Sequence, residues 1–203
     1  MKRVVDKPYY TYYYAKALST GVDVKCPKCH SLGIVTADKT TALFKCTECG
    51  YTQKKECVTY SYDVHNQCKG CGRYYRVDIK DEKKQHFPAL KVACPYCKTV
   101  MSGKVHKTNK GYYLPDIKGG CEGYFGLELW FLSHFHGKPV WALDREHLAY
   151  LIDYLSADLR ERPTLYNWEY ATVKTQADHL PTFMKTAKNR DRIVKMLKDM
   201  QKK

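Results

Sequence analysis

Long apolar runs are missing from this 203-residue chain. A membrane-spanning helix needs roughly 18 uncharged apolar residues in a row. The best candidate, Tyr124–Leu132, is short and interrupted by Glu128. A signal-peptide core is missing too: Met1-Lys2-Arg3-Val4-Val5-Asp6-Lys7-Pro8 begins basic and never turns hydrophobic. The chain contains no Gly-Lys-Ser/Thr phosphate loop and no recognisable nucleophile motif. Acidic residues are scarce, with 21 Asp and Glu against 35 Lys and Arg. These absences argue against a membrane protein and lead to the expectation of a soluble, cytoplasmic one. The remaining composition, 44% hydrophobic and 28% charged, is ordinary for a globular chain and excludes a disordered or fibrous one.

The basic excess is unevenly placed. Residues 1–110 hold 21 basic and 9 acidic side chains, a formal +12, whereas residues 111–203 hold 14 and 12, a formal +2. Eight of the ten cysteines lie in the basic half, as four Cys-x-x-Cys pairs: Cys26/Cys29, Cys46/Cys49, Cys68/Cys71 and Cys94/Cys97. A two-residue spacer lets a tight turn aim both sulfurs at one metal while backbone amides donate to the thiolates. The first two pairs enclose 16 residues and the last two enclose 22. Joining neighbours therefore gives two zinc ribbons in succession, each with four cysteine ligands to a structural Zn2+. Two such sites carry a net −2 each, which lowers the N-terminal half to about +8, still basic.

Neighbouring residues agree with this pairing. Cys26-Pro27-Lys28-Cys29 and Cys94-Pro95-Tyr96-Cys97 carry a proline inside the knuckle, and Gly50 and Gly72 follow second ligands, where a left-handed backbone is often required. Strand-like segments at Gly33–Thr36, Ala42–Lys45, Tyr74–Ile79 and Ala89–Ala93 lie between the ligands. Disulfides would need a secretory context that nothing in the chain indicates. Iron fits the spacing as zinc does, and interleaved ligation of the first pair with the third is the alternative pairing. Each ribbon is too small for a hydrophobic core of its own, so the metal is expected to supply folding energy.

Outside the ribbons, Tyr9-Tyr10-Thr11-Tyr12-Tyr13-Tyr14 reads as a strand whose rings cover a small domain, with base stacking as the functional alternative. Residues Ser102–Gly123, with five glycines and Lys104, Lys107, Lys110 and Lys118, read as a linker or long loop. From Tyr124 the pattern changes. Phe125–Phe135 and Val140–Leu143 read as strands joined at His136-Gly137-Lys138-Pro139. Asp144 suits a helix N-cap, and Leu148, Leu151, Ile152, Leu155 and Leu159 follow at helical spacing until Arg160-Glu161-Arg162-Pro163. A further helix opens at Leu180-Pro181-Thr182-Phe183-Met184, with Ile193, Val194, Leu197 and Met200 on its apolar face. The expected fold is α+β: two consecutive four-cysteine zinc ribbons, then a β-hairpin plus helices. The expected modules are residues 1–60 with the first ribbon, 61–110 with the second, and 111–203.

The segments Gly123-Tyr124-Phe125-Gly126-Leu127-Glu128-Leu129-Trp130-Phe131 and Val140-Trp141-Ala142-Leu143-Asp144-Arg145-Glu146-His147-Leu148 resemble a set of bacterial zinc-ribbon-containing proteins, sometimes labelled TFIIB-type. The resemblance continues through Leu155–Arg162 and Leu180–Arg190 and covers about residues 90–203. It implies zinc and a loose association with nucleic acid, and carries no established reaction. Some members bear a label from replication-restart helicases; without a phosphate loop here, that activity does not transfer. Members often have Cys-Cys-Gly where this chain has Phe135-His136-Gly137. A third metal site joining His134 and His136 to Cys121 is thus conceivable, against ordinary histidines beside a turn.

The function expected from these features is a non-enzymatic, zinc-binding accessory protein that contacts nucleic acid, DNA or RNA. Cations on the ribbons would neutralise phosphates and interleaved tyrosines would stack on bases. The candidate contacts are Lys54, Lys55, Lys69, Arg73, Tyr74, Tyr75, Arg76, Lys83, Lys84 and Lys91, with a second group of Arg160, Arg162, Lys188, Arg190 and Arg192 near the helix ends. The competing class is an adaptor that docks onto a protein partner. The acid–base pieces present are His147 near Asp144 and Glu146, and Glu122 and Glu128 near His134. They form no open metal site and indicate no small-molecule substrate.

Overall fold

The computed structural model describes residues 1–162 and 174–203. In chain order its strands are β1 (Arg3–Val5), β2 (Val22–Lys25), β3 (Leu32–Ala37), β4 (Thr41–Cys46), β5 (Thr52–Glu56), β6 (Val58–Gln67), β7 (Tyr74–Asp78), β8 (Ala89–Ala93), β9 (Val100–Tyr112), β10 (Phe131–Phe135), β11 (Lys138–Ala142) and β12 (Leu159–Glu161). The helices are α1 (Tyr14–Thr20), α2 (Glu82–Gln85), α3 (Arg145–Ser156), α4 (Gln176–His179), α5 (Thr182–Lys185) and α6 (Ala187–Gln201). The architecture is mixed α+β with small, mostly antiparallel sheets. Among the described residues no helix is long and apolar enough to cross a membrane.

The chain packs into two units, Met1–Glu56 with Leu114–Lys203, and Cys57–Tyr113. The second ribbon is thus an insertion, and the first ribbon shares a unit with the C-terminal module. This differs from the expected division at residues 60 and 110. The reason lies at β2: its free edge receives residues 128–143 of the distant C-terminal half. Lys25 N–H donates to the Glu128 carbonyl at 2.8 Å, Trp130 N–H to the Asp23 carbonyl at 2.9 Å and Asp23 N–H to the Leu143 carbonyl at 2.8 Å. An edge that would otherwise expose unpaired amides is closed by backbone hydrogen bonds.

In the first unit, β2–β5 form an antiparallel sheet whose alternation buries Val22, Val24, Val35, Ala42 and Phe44. The β10–β11 hairpin turns on His136 and Gly137, with φ of 49° and 75°, the two-residue turn that matches strand twist. Strand β11 resumes at Lys138, earlier than the turn read from the sequence. The Asp144 carboxylate caps α3 by accepting from His147 N–H at 2.7 Å, as expected. Leu148, Leu151, Ile152 and Leu155 of α3 are buried, and α3 packs on α6 through Ile193, Val194, Leu197 and Met200. Leu159 is not helical; it begins β12, which pairs in parallel with β1. Pro163, part of the expected stop signal, lies outside the described residues.

The tyrosine cluster is not a strand. Tyr9–Tyr12 form a 3-10 turn and Tyr14 opens α1. Tyr12 stacks on His147 with centroids 4.6 Å apart, and the Tyr14 hydroxyl reaches the Glu122 carboxylate at 3.3 Å. Tertiary packing of these two rings onto the C-terminal module outweighs the strand preference of the run. Glu122 itself is 1% exposed. Its oxygens accept from the backbone N–H groups of Tyr124 (2.8 Å), Phe125 (2.7 Å) and Leu127 (3.1 Å), so the loop that follows is wrapped around one carboxylate.

In the second unit the strand order is β7-β6-β9-β8, all antiparallel. The lysine-rich stretch read as a linker from Ser102 is mostly β9, a 13-residue strand between β6 and β8. Its glycine is useful there: a Cβ on Gly103 would lie 2.4 Å from a Val64 methyl, so the close approach requires glycine. The ends of the insertion meet, since Val58 pairs with Tyr112 and Tyr113 N–H donates to the Cys57 carbonyl at 2.6 Å.

Two outcomes follow. Replacing residues 57–113 by a short Gly-Ser linker should leave a folded first unit with its own metal site, measured by circular dichroism and metal content. Glu122→Ala should destabilise the first unit by roughly 3 kcal/mol in denaturant titration, because it strands several buried N–H donors.

Candidate metal centres and basic surface

All four knuckles repeat one backbone design. The N–H of the first cysteine donates to the carbonyl five residues on: Cys26 to Ser31 (2.8 Å), Cys46 to Tyr51 (2.9 Å), Cys68 to Arg73 (2.8 Å) and Cys94 to Thr99 (2.9 Å). The residue after each second cysteine has positive φ: His30 (62°), Gly50 (68°), Gly72 (72°) and Lys98 (65°). Glycine fills that left-handed position freely; His30 and Lys98 hold it against their own preference. Backbone amides also aim at sulfur, with Lys28 N–H 3.4 Å from Cys26 Sγ, Cys49 N–H 3.4 Å from Cys46 Sγ and Gly70 N–H 3.3 Å from Cys68 Sγ.

Neighbouring pairs converge. Cys26, Cys29, Cys46 and Cys49 form one cluster and Cys68, Cys71, Cys94 and Cys97 the other, with all sulfurs of a cluster within 4.8 Å of one another. The interleaved pairing is therefore excluded. Cross-pair separations are 3.7 Å for Cys26–Cys49, 3.4 Å for Cys29–Cys46, 3.4 Å for Cys68–Cys97 and 3.9 Å for Cys71–Cys94. Sulfurs at 2.3 Å from a tetrahedral zinc stand about 3.8 Å apart, so the donor sets fit Zn2+. Four thiolates leave no open coordination position, which suits a structural ion.

Protonation points the same way. Hydrogen bonds from the backbone at Ser31 and, for Cys97, from the Thr99 side chain lower Cys29 and Cys97 to about 6. Within the same clusters Cys49 and Cys71 are driven up to about 12 and about 11. Backbone donors at Tyr51 and Arg73 pull them down, but burial and the adjacent sulfurs outweigh that pull. Four crowded thiols do not all ionise alone; a divalent cation removes the repulsion and the protons together.

A third site is not formed. Among the described residues the two four-cysteine clusters are the only metal-ligating groups, and His134, His136 and Cys121 do not converge. His136 occupies the hairpin turn, edge-on to Phe135 at 4.4 Å. Two of the acid–base pieces are held inside the fold. His147 is 4% exposed and burial alone lowers it to about 3, while Glu122 is held by its loop.

The candidate nucleic-acid contacts divide. Lys54, Lys69, Lys83, Lys91 and Lys188 are exposed. Arg73 lies over the Tyr96 ring at 5.3 Å, Lys84 pairs with Asp81 at 3.5 Å, and Tyr74 is 62% exposed. Tyr75 is 2% exposed inside the second core and is not a surface residue. Lys55 Nζ donates to the Tyr124 carbonyl at 2.7 Å within the first unit. Arg160 and Arg190 approach one another beside Tyr154, yet their guanidinium groups cap carbonyls: Arg160 those of Tyr154, Leu155 and Ala157, and Arg190 that of Lys185. Arg162 pairs with Asp178 at 3.3 Å, and Arg192 lies over Phe135 at 5.6 Å. The helix-end group is therefore largely a set of internal clamps. Lys104 and His106, in the stretch that reads as a linker, instead lie in β9 and join the sheet of the second unit.

No family model, curated protein or solved structure matches the chain.

Cys26→Ser and Cys94→Ser should each remove one of two zinc equivalents and expose only the ribbon concerned to protease, read by metal analysis and limited proteolysis. Retention of both equivalents in both variants would refute the pairing.

Proposed function

We propose that the protein is a non-enzymatic, zinc-loaded accessory protein of the cytoplasm that binds nucleic acid, chiefly through its second unit. One observation carries this reading. Residues 57–113 hold 11 basic and 4 acidic side chains, a formal +7 on 57 residues, against the same +7 on the other 146. That unit also bears five of the six strongly exposed aromatic rings among the described residues: Tyr74, Phe87, Tyr96, Tyr112 and Tyr113, with Tyr13 the sixth. One bound Zn2+ on four thiolates lowers the unit to about +5, still basic. Cations release counterions from phosphates, and rings on the same small scaffold offer faces to bases. The zinc-ribbon resemblance is in keeping with this.

An adaptor role is the second reading, favoured by the open groove between β10 and α6. Leu132, Met196 and Met200 line it together with three cations, Arg192, Lys195 and Lys203, and one acid, Asp199. Such a surface accepts an acidic, partly apolar protein segment.

Fluorescence anisotropy of the zinc-loaded protein on labelled oligonucleotides separates the two. Nucleic-acid binding should weaken linearly in log–log with salt, roughly 50-fold between about 50 and 200 mM for some four phosphate contacts on a single strand. No binding at low salt would remove the leading reading.

A further inference from the structure

The second unit's sheet has two unlike faces. One is the core face, with Val64 of β6, Tyr75 and Val77 of β7, Val92 of β8 and Val105 of β9. Alternation puts Asp63 and His65 of β6, Tyr74 and Arg76 of β7, Lys91 of β8, and Lys104 and His106 of β9 on the other. Among the described residues of this 57-residue unit, the only helix is the four-residue α2, so the unit has no long helix of its own to roof the second face.

Three rings form a row across β7, β6 and β9. Tyr74 and His65 have centroids 5.9 Å apart, and His65 stacks on His106 at 4.0 Å with 21° between planes. Beneath the row lies Asp63, 1% exposed. One of its oxygens is 2.6 Å from His65 Nδ1 and the other accepts from Arg76 at 2.6 Å. Burial pushes the Asp63 carboxyl up, but the His65 hydrogen bond and the Arg76 guanidinium outweigh it and keep the group ionised below its ordinary value. A buried carboxylate thus anchors the central ring and the adjacent guanidinium, while Tyr74 stays 62% exposed. Lys104 and Lys91 continue the same face toward the β8 edge, both exposed.

We propose that this face is a stacking platform for single-stranded nucleic acid, with Tyr74 and His106, the outer rings of the row, receiving bases, His65 bracing them from Asp63, and Lys91 and Lys104 meeting phosphates. The inference rests on the nucleic-acid reading above and adds the strand state and the surface. Rings on a sheet face need bases whose own faces are free, which a duplex does not offer. Positive charge beside the rings, on a unit of formal +7, selects a polyanion as occupant.

The test is anisotropy of the full-length, zinc-loaded protein on a labelled thymidine 20-mer, a uridine 20-mer and a duplex of equal length. Single strands of either sugar should bind at least about 10-fold tighter than the duplex. Tyr74→Ala and His106→Ala should each weaken single-strand binding by about 10-fold, whereas Tyr74→Phe, which keeps the ring, should bind as the parent does. Tyr13→Ala, an exposed ring of the first unit, should change nothing. Lys91→Gln with Lys104→Gln should reduce the salt slope by about 1.4. Metal content and circular dichroism of each variant exclude unfolding as the cause. Unchanged affinity in Tyr74→Ala and His106→Ala, or preference for duplex, would overturn the platform while leaving nucleic-acid binding intact. Absence of binding to every probe would instead overturn the underlying reading and the platform with it.

Discussion

The convergence of four sulfurs is the constraint on which each ribbon depends. In the second unit the buried cluster consists of Val64, Cys68, Tyr75, Val92 and Cys94, with Val77, Ile79, Leu90, Met101 and Val105 packed against it half-buried, so two of its five buried members are also metal-ligating cysteines. A core this small does not offset the entropy of ordering a 57-residue unit by apolar burial alone. The metal site and the core are one body, and Tyr75, with Cys68 and Cys94 close by, belongs to both. Once the knuckles close, the long strands β6 and β9 are held in register and their outer face becomes a rigid surface.

The first unit is under a different constraint. Its ribbon is docked by backbone hydrogen bonds from residues 128–143 onto β2, and behind that hairpin lies a conventional helical core. Leu148, Leu151, Leu155, Ile193 and Leu197 are each at most 1% exposed, independent of any cysteine. Two buried carboxylates tie the N-terminus to this core. Glu122 gathers its own loop and the Tyr14 hydroxyl; Asp6 accepts from the Tyr150 hydroxyl and from Ala177 N–H at 3.2 Å. Each carboxylate is matched by several donors, the condition under which a buried charge is tolerated. The same metal chemistry is therefore essential to one unit and supplementary in the other.

Local chemistry was legible in the sequence, and long-range pairing was not. The Cys-x-x-Cys spacing, the glycines after Cys49 and Cys71 and the Asp144 cap act within a few residues, and each is where its spacing implied. Strand β9 was hidden because its lysines and glycines have low strand propensity; pairing on both sides with β6 and β8 determines it instead. Tyr12 and Tyr14 were misread for the same reason, since their partners His147 and Glu122 lie more than a hundred residues away. The division into units was illegible because an insertion leaves no local mark: its ends meet through the pairing of Val58 with Tyr112 and of Cys57 with Tyr113, more than fifty residues apart. The ring row was missed with β9, since His65 and His106 become neighbours only when that strand is placed.

The central claim is that metal is the core of the second unit and an accessory to the first. Amide hydrogen exchange of the full-length protein, with and without a chelator that strips both zinc equivalents, tests it most directly. The account predicts that chelation abolishes protection throughout β6–β9 while α3 and α6 keep theirs. Protection of β6 and β9 that survives complete metal removal, or its simultaneous loss in α3 and α6, would contradict it.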